Sequence, residues 1–373
     1  MTKFFDQFRR ILPDSKTQGL LLCALVSLGM LAVVMSIEQI PRSQNIQPKI
    51  AASRSMEMAI KSLRESYLSR GLRFDDTADP NHTALIGVEY SEMVTTLGSA
   101  DAKRSTTNPN VAGLVVQPLV EAGVRQGDTI AVGCSGSFPA LAVATLAATK
   151  ALGVNPVLIL SLGSSSFGAD RVDWTLLDIL QSLKNKGLLD ASIAGVSLGG
   201  ADDVGNDFDP VTRKILTDKM KSSGIPIVNE PDLPRNVARR MEIYFGSMGA
   251  TRIAAFVNIG GSQADLGVDP LVLKLEPGVN RQITPPEKEE RYGVVFAMAK
   301  RHIPVVHLLH IKGLLLKYGL PWDPTPLPKV SEEDFSQPRS GLNASVVAAT
   351  SLYFFLIVMI FITYRKQFFR KFS

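Results

Sequence analysis

Cysteine is nearly absent from this chain, with two in 373 residues, Cys23 and Cys134. Cys23 falls in an apolar run and Cys134 in the intervening region, so that region cannot close an internal disulfide and must rely on a buried core. A domain of its length can supply one. Histidine is also scarce, at four residues, and neither a metal-type Cys/His spacing nor HExxH occurs, which removes the common zinc sites. No GxxxxGK[ST] is present, and GCSGSF does not match GxGxxG. ATP and dinucleotide use are therefore not expected, and no cofactor or metal is assigned.

Charge is missing where it would be most informative. The basic pI belongs to the ends, because residues 1–18 and 365–373 carry 8 of the 40 Lys and Arg but only 2 of the 35 Asp and Glu. The remainder is close to neutral, so a general polyanion-binding surface is unsupported and nucleic acid is not an expected partner. Any acidic ligand must be held locally.

Two long uncharged runs, 19–36 and 346–363, bracket the chain. Each has 18 residues, the length that reads as a candidate transmembrane helix. Lys3, Arg9, Arg10 and Lys16 precede the first, and Arg365, Lys366, Arg370 and Lys371 follow the second. The positive-inside rule then predicts a two-pass protein of the inner or cytoplasmic membrane, both termini cytoplasmic, the main domain extracytoplasmic and the lipid bilayer a partner. A cleaved signal peptide is disfavoured, since the first run exceeds ~7–15 residues and Met35-Ser36-Ile37-Glu38 lacks a small-residue cleavage box. The expected organisation is a tail over 1–18, a span over 19–37, a linker and helix over 38–72, an α/β domain over 73–325, a linker over 326–344, a span over 345–364 and a basic tail over 365–373.

Between the runs, Met56, Ile60, Leu63 and Tyr67 recur at helical spacing and predict a packed amphipathic helix. A strand is predicted over 84–90. Short apolar strands over 129–132, 156–160, 192–196, 225–228, 253–257 and 304–309 then alternate with helices over 139–152, 176–183, 211–221, 238–244 and 294–301. This grammar predicts an α/β fold, a mostly parallel sheet with helices on both faces. Ligands of such sheets sit beyond the carboxyl ends of the strands. Here those ends are 134–137, 161–166, 199–203, 229–230, 260–262, and His310 with Lys312.

The sharpest motif on that rim is Gly133-Cys134-Ser135-Gly136-Ser137 before Pro139. Gly133, Gly136 and Ser137 form either a tight strand-to-helix turn or a turn whose amides receive a carboxylate or phosphate. Ser135 occupies the centre of a GxSxG-like elbow, with Ser137 replacing the last glycine; Asp203 (or Asp202) and His310 complete a candidate Ser, Asp, His order. A second cluster over 98–110 offers Lys103, Arg104, Ser105, Thr106 and Asn108 to an acidic ligand, with Lys312 added from the rim. Its alternative is a solvated connection. His307 has strand-interior parity and reads as a core histidine.

The stretches LIGVEYSEMVTTLGSADAKRSTTNPN (85–110), DTIAVGCSGSFPAL (128–141) and IPVVHLLHIKGLLLKYGLPWDP (303–324), set between the two apolar runs, resemble the bacterial poly-gamma-glutamate system protein family. The resemblance implies an accessory role in synthesis, export or attachment of poly-γ-glutamate, with the polymer or the system's other subunits as partners. It carries over no catalytic residue. Three functions stay open: a polymer-handling subunit, a serine hydrolase or transferase on γ-glutamyl or other amide bonds with Ser135 as nucleophile and His310 as base, and a structural scaffold.

Overall fold

The computed structural model describes residues 15–38, 45–246, 252–331, 335 and 344–368. The chain divides into two compact units, Met1–Arg42 with Pro338–Ser373, and Ser43–Gln337. The tail residues Lys3, Arg9, Arg10, Arg370 and Lys371 lie outside the described residues, as do the side chains of Lys16, Arg365 and Lys366.

The first unit contains helix α1 (Ser15–Glu38) and, as the last helix of the chain, α12 (Ala344–Phe368), packed side by side. Ser27 bonds Tyr353 Oη across them at 3.0 Å, and its hydroxyl also donates to the Cys23 carbonyl. The two-pass expectation is corrected here: among the described residues, no helix is long and apolar enough to cross a membrane. The spans 19–37 and 345–364, the anchored fold class, the two-pass localisation and the extracytoplasmic placement of the main domain are therefore set aside.

The second unit is α/β, built on a mixed six-stranded sheet. Its elements in chain order are α2 (Ile46–Ser69), β1 (Val94–Thr96), α3 (Ala100–Thr106), α4 (Asn110–Glu121), β2 (Thr129–Ser135), α5 (Pro139–Leu152), β3 (Asn155–Ser161), β4 (Ser164–Ser165), β5 (Asp170–Arg171), β6 (Trp174–Thr175), α6 (Leu176–Asn185), β7 (Ile193–Ser197), α7 (Pro210–Ser222), α8 (Leu233–Gly246), β8 (Ile253–Ile259), α9 (Gln263–Leu266), β9 (Gly278–Asn280), α10 (Val294–Lys300), β10 (Val305–Leu308) and α11 (Ile311–Tyr318). The sheet order is β7-β3-β2-β8-β10-β9, parallel except for β9 against β10. The chain winds outward from β2 through β3 to β7, then returns to place β8 on the other side of β2. That reversal is a topological switch point, the place where open α/β sheets bind ligands.

Helices cover both faces because the strands are apolar on both. One core joins α2, α4, α5 and α6 to Val132, Leu158 and Val257; the other joins α8 and α10 to Ala131, Val157, Phe256 and Val305. The four α2 residues at helical spacing are all buried, Met56 and Leu63 completely. At roughly 1.5–3 kcal/mol for each large apolar side chain, that face makes α2 part of the core rather than an appendage.

Two sequence expectations change. Residues 84–90 form no strand: the amides of Thr83 and Ala84 donate to Asp79 Oδ2 and that of Val88 to Asp170 Oδ1, so carboxylates replace a strand partner. Residues 225–228 contribute only an isolated bridge between Ile227 and Val196.

Candidate functional site

Side chains alternate faces along a strand. On the face carrying α8 and α10, each strand runs from apolar residues to a polar one at its carboxyl end. Ala131 gives way to Ser135, Ile159 to Ser161, Phe256 to Asn258 and Val305 to His307. Register aligns them, with Ser135 beside Ser161 and Ser161 beside Ser197. Asn258 stands beside His307, and their side chains meet at 3.2 Å. Burial lowers the His307 imidazole to about 4, so it is a neutral core histidine.

Beneath this layer lies Arg240 of α8, fully buried. Its Nη2 donates to Asp203 Oδ2 at 2.7 Å and to Ser161 and Ser197 Oγ at 3.0 Å each, while Nε donates to Asn236 Oδ1. Asp265 stands 3.6 Å from Nη1 and accepts from Ser262 Oγ. Burial pushes the Asp265 carboxyl up, and Arg240 opposes the rise. This network fixes the floor of the site.

Above the floor opens a cavity of about 640 Å³, a size suited to a small ligand or a segment of a chain. The ends of β2 and β3 supply Ser135 and Ser161. The loops after β3, β7 and β8 supply Gly163, Gly200 and Ser262, α3 supplies Lys103, and the segment entering α11 supplies His310 and Lys312. Each predicted rim segment except 229–230 thus contributes to the cavity, although Cys134, Gly136, Asp202, Asp203 and Gly260 do not line it. Ser135 Oγ is buried and, among the described residues, has no hydrogen-bond partner. Directly behind it Gly260 has φ +84°, and a Cβ there would sit 2.4 Å from Ser135 Oγ, so only glycine fits without displacement.

Lys103 is 2% exposed, with Nζ 3.8 Å from the centroid of the Phe138 ring. It donates to Ser165 Oγ at 2.7 Å and to the Ser137 carbonyl. Burial lowers its ammonium to about 7, against a smaller opposing pull from Asp170. Asp170 is itself raised to about 7 by burial, and its Oδ2 has no hydrogen-bond partner among the described residues.

The other candidates have structural partners. Asp203 is committed to Ser161, Ser197, Asn236 and Arg240, and Ser135 Oγ bonds nothing, so Ser135, Asp203 and His310 do not form a hydrogen-bonded triad. Gly133 lies inside β2, where a Cβ would meet the Asp265 carboxyl carbon at 2.6 Å. The Gly136 amide donates to the Ser161 and Gly163 carbonyls, so it is not offered to a ligand. Ser137 Oγ accepts from the Ser165 amide. Arg104 clamps Asp323 through Nε and Nη2, and Ser105 Oγ accepts from the Asp323 amide. Thr106 Oγ1 caps the Lys103 carbonyl, and Asn108 Oδ1 accepts from the Asn110 amide. The stretch 98–110 is thus a buried helical corner, whose hydroxyls are largely spent locally; Ser99 caps α3 at the Ala102 amide. Cys134 is buried, and burial holds its thiol far above the ordinary value, consistent with a packing role.

Sequence reasoning did not find Arg240, Asp265 or Asp170. Ser165 lay within the predicted rim but had no signal to separate it from its serine neighbours. Among the described residues, no group of His, Cys, Asp and Glu is arranged to hold a metal ion. Fold and site together define a doubly wound α/β unit with a hydroxyl- and lysine-lined cavity at its switch point. Compared with family models, curated proteins and solved structures, the chain matches none.

Proposed function

We propose that the α/β unit is a binding subunit for a carboxylate-bearing ligand, and that this ligand is poly-γ-glutamate or a segment of it. The observation that carries the reading is Ser135: a buried hydroxyl without a partner costs about 1–3 kcal/mol, and it borders a cavity that also presents Lys103 and Lys312. A ligand oxygen would relieve that cost. Lys312 supplies local positive charge in a region that is near neutral as a whole, and Lys103 adds a buried donor, which suits capture of a few carboxylates rather than a general polyanion surface. The resemblance of residues 85–110, 128–141 and 303–324 to poly-gamma-glutamate system proteins supports the choice of polymer.

The test is calorimetry of the full-length protein with defined γ-glutamate oligomers. Saturable binding is expected, weakened at least tenfold by Ser135→Ala combined with Lys312→Ala. Absence of binding, or equal binding by the double variant, overturns the reading.

A further inference from the structure

The strongest chemistry in the cavity belongs to a pair outside the Ser135 arrangement. We propose that Ser165 Oγ is a nucleophile and Lys103 Nζ its general base, forming an acyl-transfer site for amide bonds at the cavity wall. The γ-glutamyl character of the substrate rests on the ligand reading above; the pair itself does not.

Geometry comes first. Lys103 Nζ and Ser165 Oγ are 2.7 Å apart, within the reach required of a base and the hydroxyl it deprotonates. Both residues line the cavity. Ser165 is fixed by the β1–β4 pairing, in which it is the register partner of Thr96, and by the hydrogen bond its backbone N–H donates to Ser137 Oγ. Lys103 is fixed by α3, by the Ser137 carbonyl and by the Phe138 ring. The nucleophile and base are therefore held by separate elements and cannot relax apart together. A Cβ on Gly98 would stand 3.2 Å from Ser165 Oγ and 3.3 Å from Lys103 Cε, so the glycine leaves the pair uncovered.

The environment suits the role. A lysine acts as a base only when neutral, and burial brings Nζ to about 7, where an appreciable fraction has lost its proton. In the reaction, Oγ–H gives its proton to Nζ as Oγ bonds the amide carbonyl carbon. Collapse of the tetrahedral adduct breaks the C–N bond, and Nζ–H⁺ returns the proton to the leaving amine. Water, deprotonated by Nζ, then attacks the Ser165 ester, releasing the acid and restoring both side chains. An incoming amine in place of water gives transfer rather than hydrolysis.

The test uses the full-length protein and a serine-directed fluorophosphonate, with adducts located by peptide mass mapping. A single adduct on Ser165 is expected, absent in Ser165→Ala, and formed roughly 10²–10⁴-fold more slowly in Lys103→Met, the range a positioned general base contributes. Thermal melts of each variant show that the fold persists, and calorimetry with γ-glutamate oligomers runs in parallel. No adduct on Ser165 in the folded wild-type protein, or an adduct on Ser135 instead, overturns the pair. Adduct on Ser165 without oligomer binding leaves the pair standing and removes the ligand reading; oligomer binding without the adduct does the reverse.

Discussion

Replacing Arg240 by methionine removes the one cation from a buried group that includes two carboxylates. The guanidinium is fully buried, 2.7 Å from Asp203 Oδ2 and 3.6 Å from Asp265 Oδ1. Methionine fills part of the volume but leaves both carboxylates without their counter-charge, and removing one member of a buried ion pair costs about 3–5 kcal/mol. Against a total of about 5–15 kcal/mol for a typical domain, that is a large fraction. Urea unfolding followed through the buried Trp174 should show a midpoint lower by roughly 1–2.5 M if m is about 2–3 kcal/mol/M. Burial already holds the Asp265 carboxyl above its ordinary value, and Arg240 restrains it. Without the arginine its folded pKa rises further above the unfolded one, so stability is lost as pH rises through that window and the deficit of the variant widens from acid toward neutral pH. Adding Asp203→Asn and Asp265→Asn removes the uncompensated charge and should recover at least half of the loss. A deficit below about 1 kcal/mol in Arg240→Met, or no recovery in the charge-neutral variant, would refute the argument that charge balance maintains this floor.

Lys103 and Asp170 make a distinct pH signature. Asp170 is raised to about 7 by burial, so the folded state holds a proton the unfolded chain has released, and stability falls as pH rises from about 4 to 7. Lys103 is lowered to about 7 by burial, so between there and about 10.5 the unfolded chain holds the extra proton and stability rises with pH. His307, lowered to about 4, adds an opposing rise below about 6.5, so the two slopes are read in chemical denaturation as differences from the wild type: Asp170→Asn should lose the fall between about 4 and 7 and Lys103→Met the rise between about 7 and 10.5, and a variant profile parallel to the wild type counts against the burial argument for that residue. Gly260→Ala places a methyl 2.4 Å from Ser135 Oγ at φ +84° and should cost about 1–3 kcal/mol. In a double-mutant cycle, Ser135→Gly should relieve the collision and leave the backbone penalty, so a coupling energy near zero would rule out the close contact.

The repeating strand and helix pattern was legible because buried parallel strands leave short apolar runs, and 129–132, 156–160 and 253–257 all fall inside observed strands. The switch point needed only their order in space, which sequence alone does not supply. Helix α4 was not read, since its NVAGLVVQPLVE carries Gly113 and Pro118, both poor in isolated helices; burial against α2 and α5 stabilises it instead. Hydroxyl density in 98–110 suggested a binding loop, but Ser99 and Thr106 close helix ends, a local use that composition cannot distinguish from ligand contact. Arg240 sits on a helix whose other charges are ordinary, and only the fold turns that position toward the ends of two strands, at Ser161 and Ser197. The apolar runs met a length criterion as strings of letters, whereas among the described residues no helix is long and apolar enough to cross a membrane.

The floor network also makes the two faces of the sheet unequal as material for redesign. On the side of α2, α4 and α5 the strands present hydrocarbon, so substitutions that conserve volume can be combined there while the cavity keeps its shape. On the other side, Arg240 ties α8 to the tips of β3 and β7 through Ser161 and Ser197. A change that tilts α8 would be transmitted to Ser161 in the cavity wall, making α8 the handle by which an engineer could retune what the cavity admits.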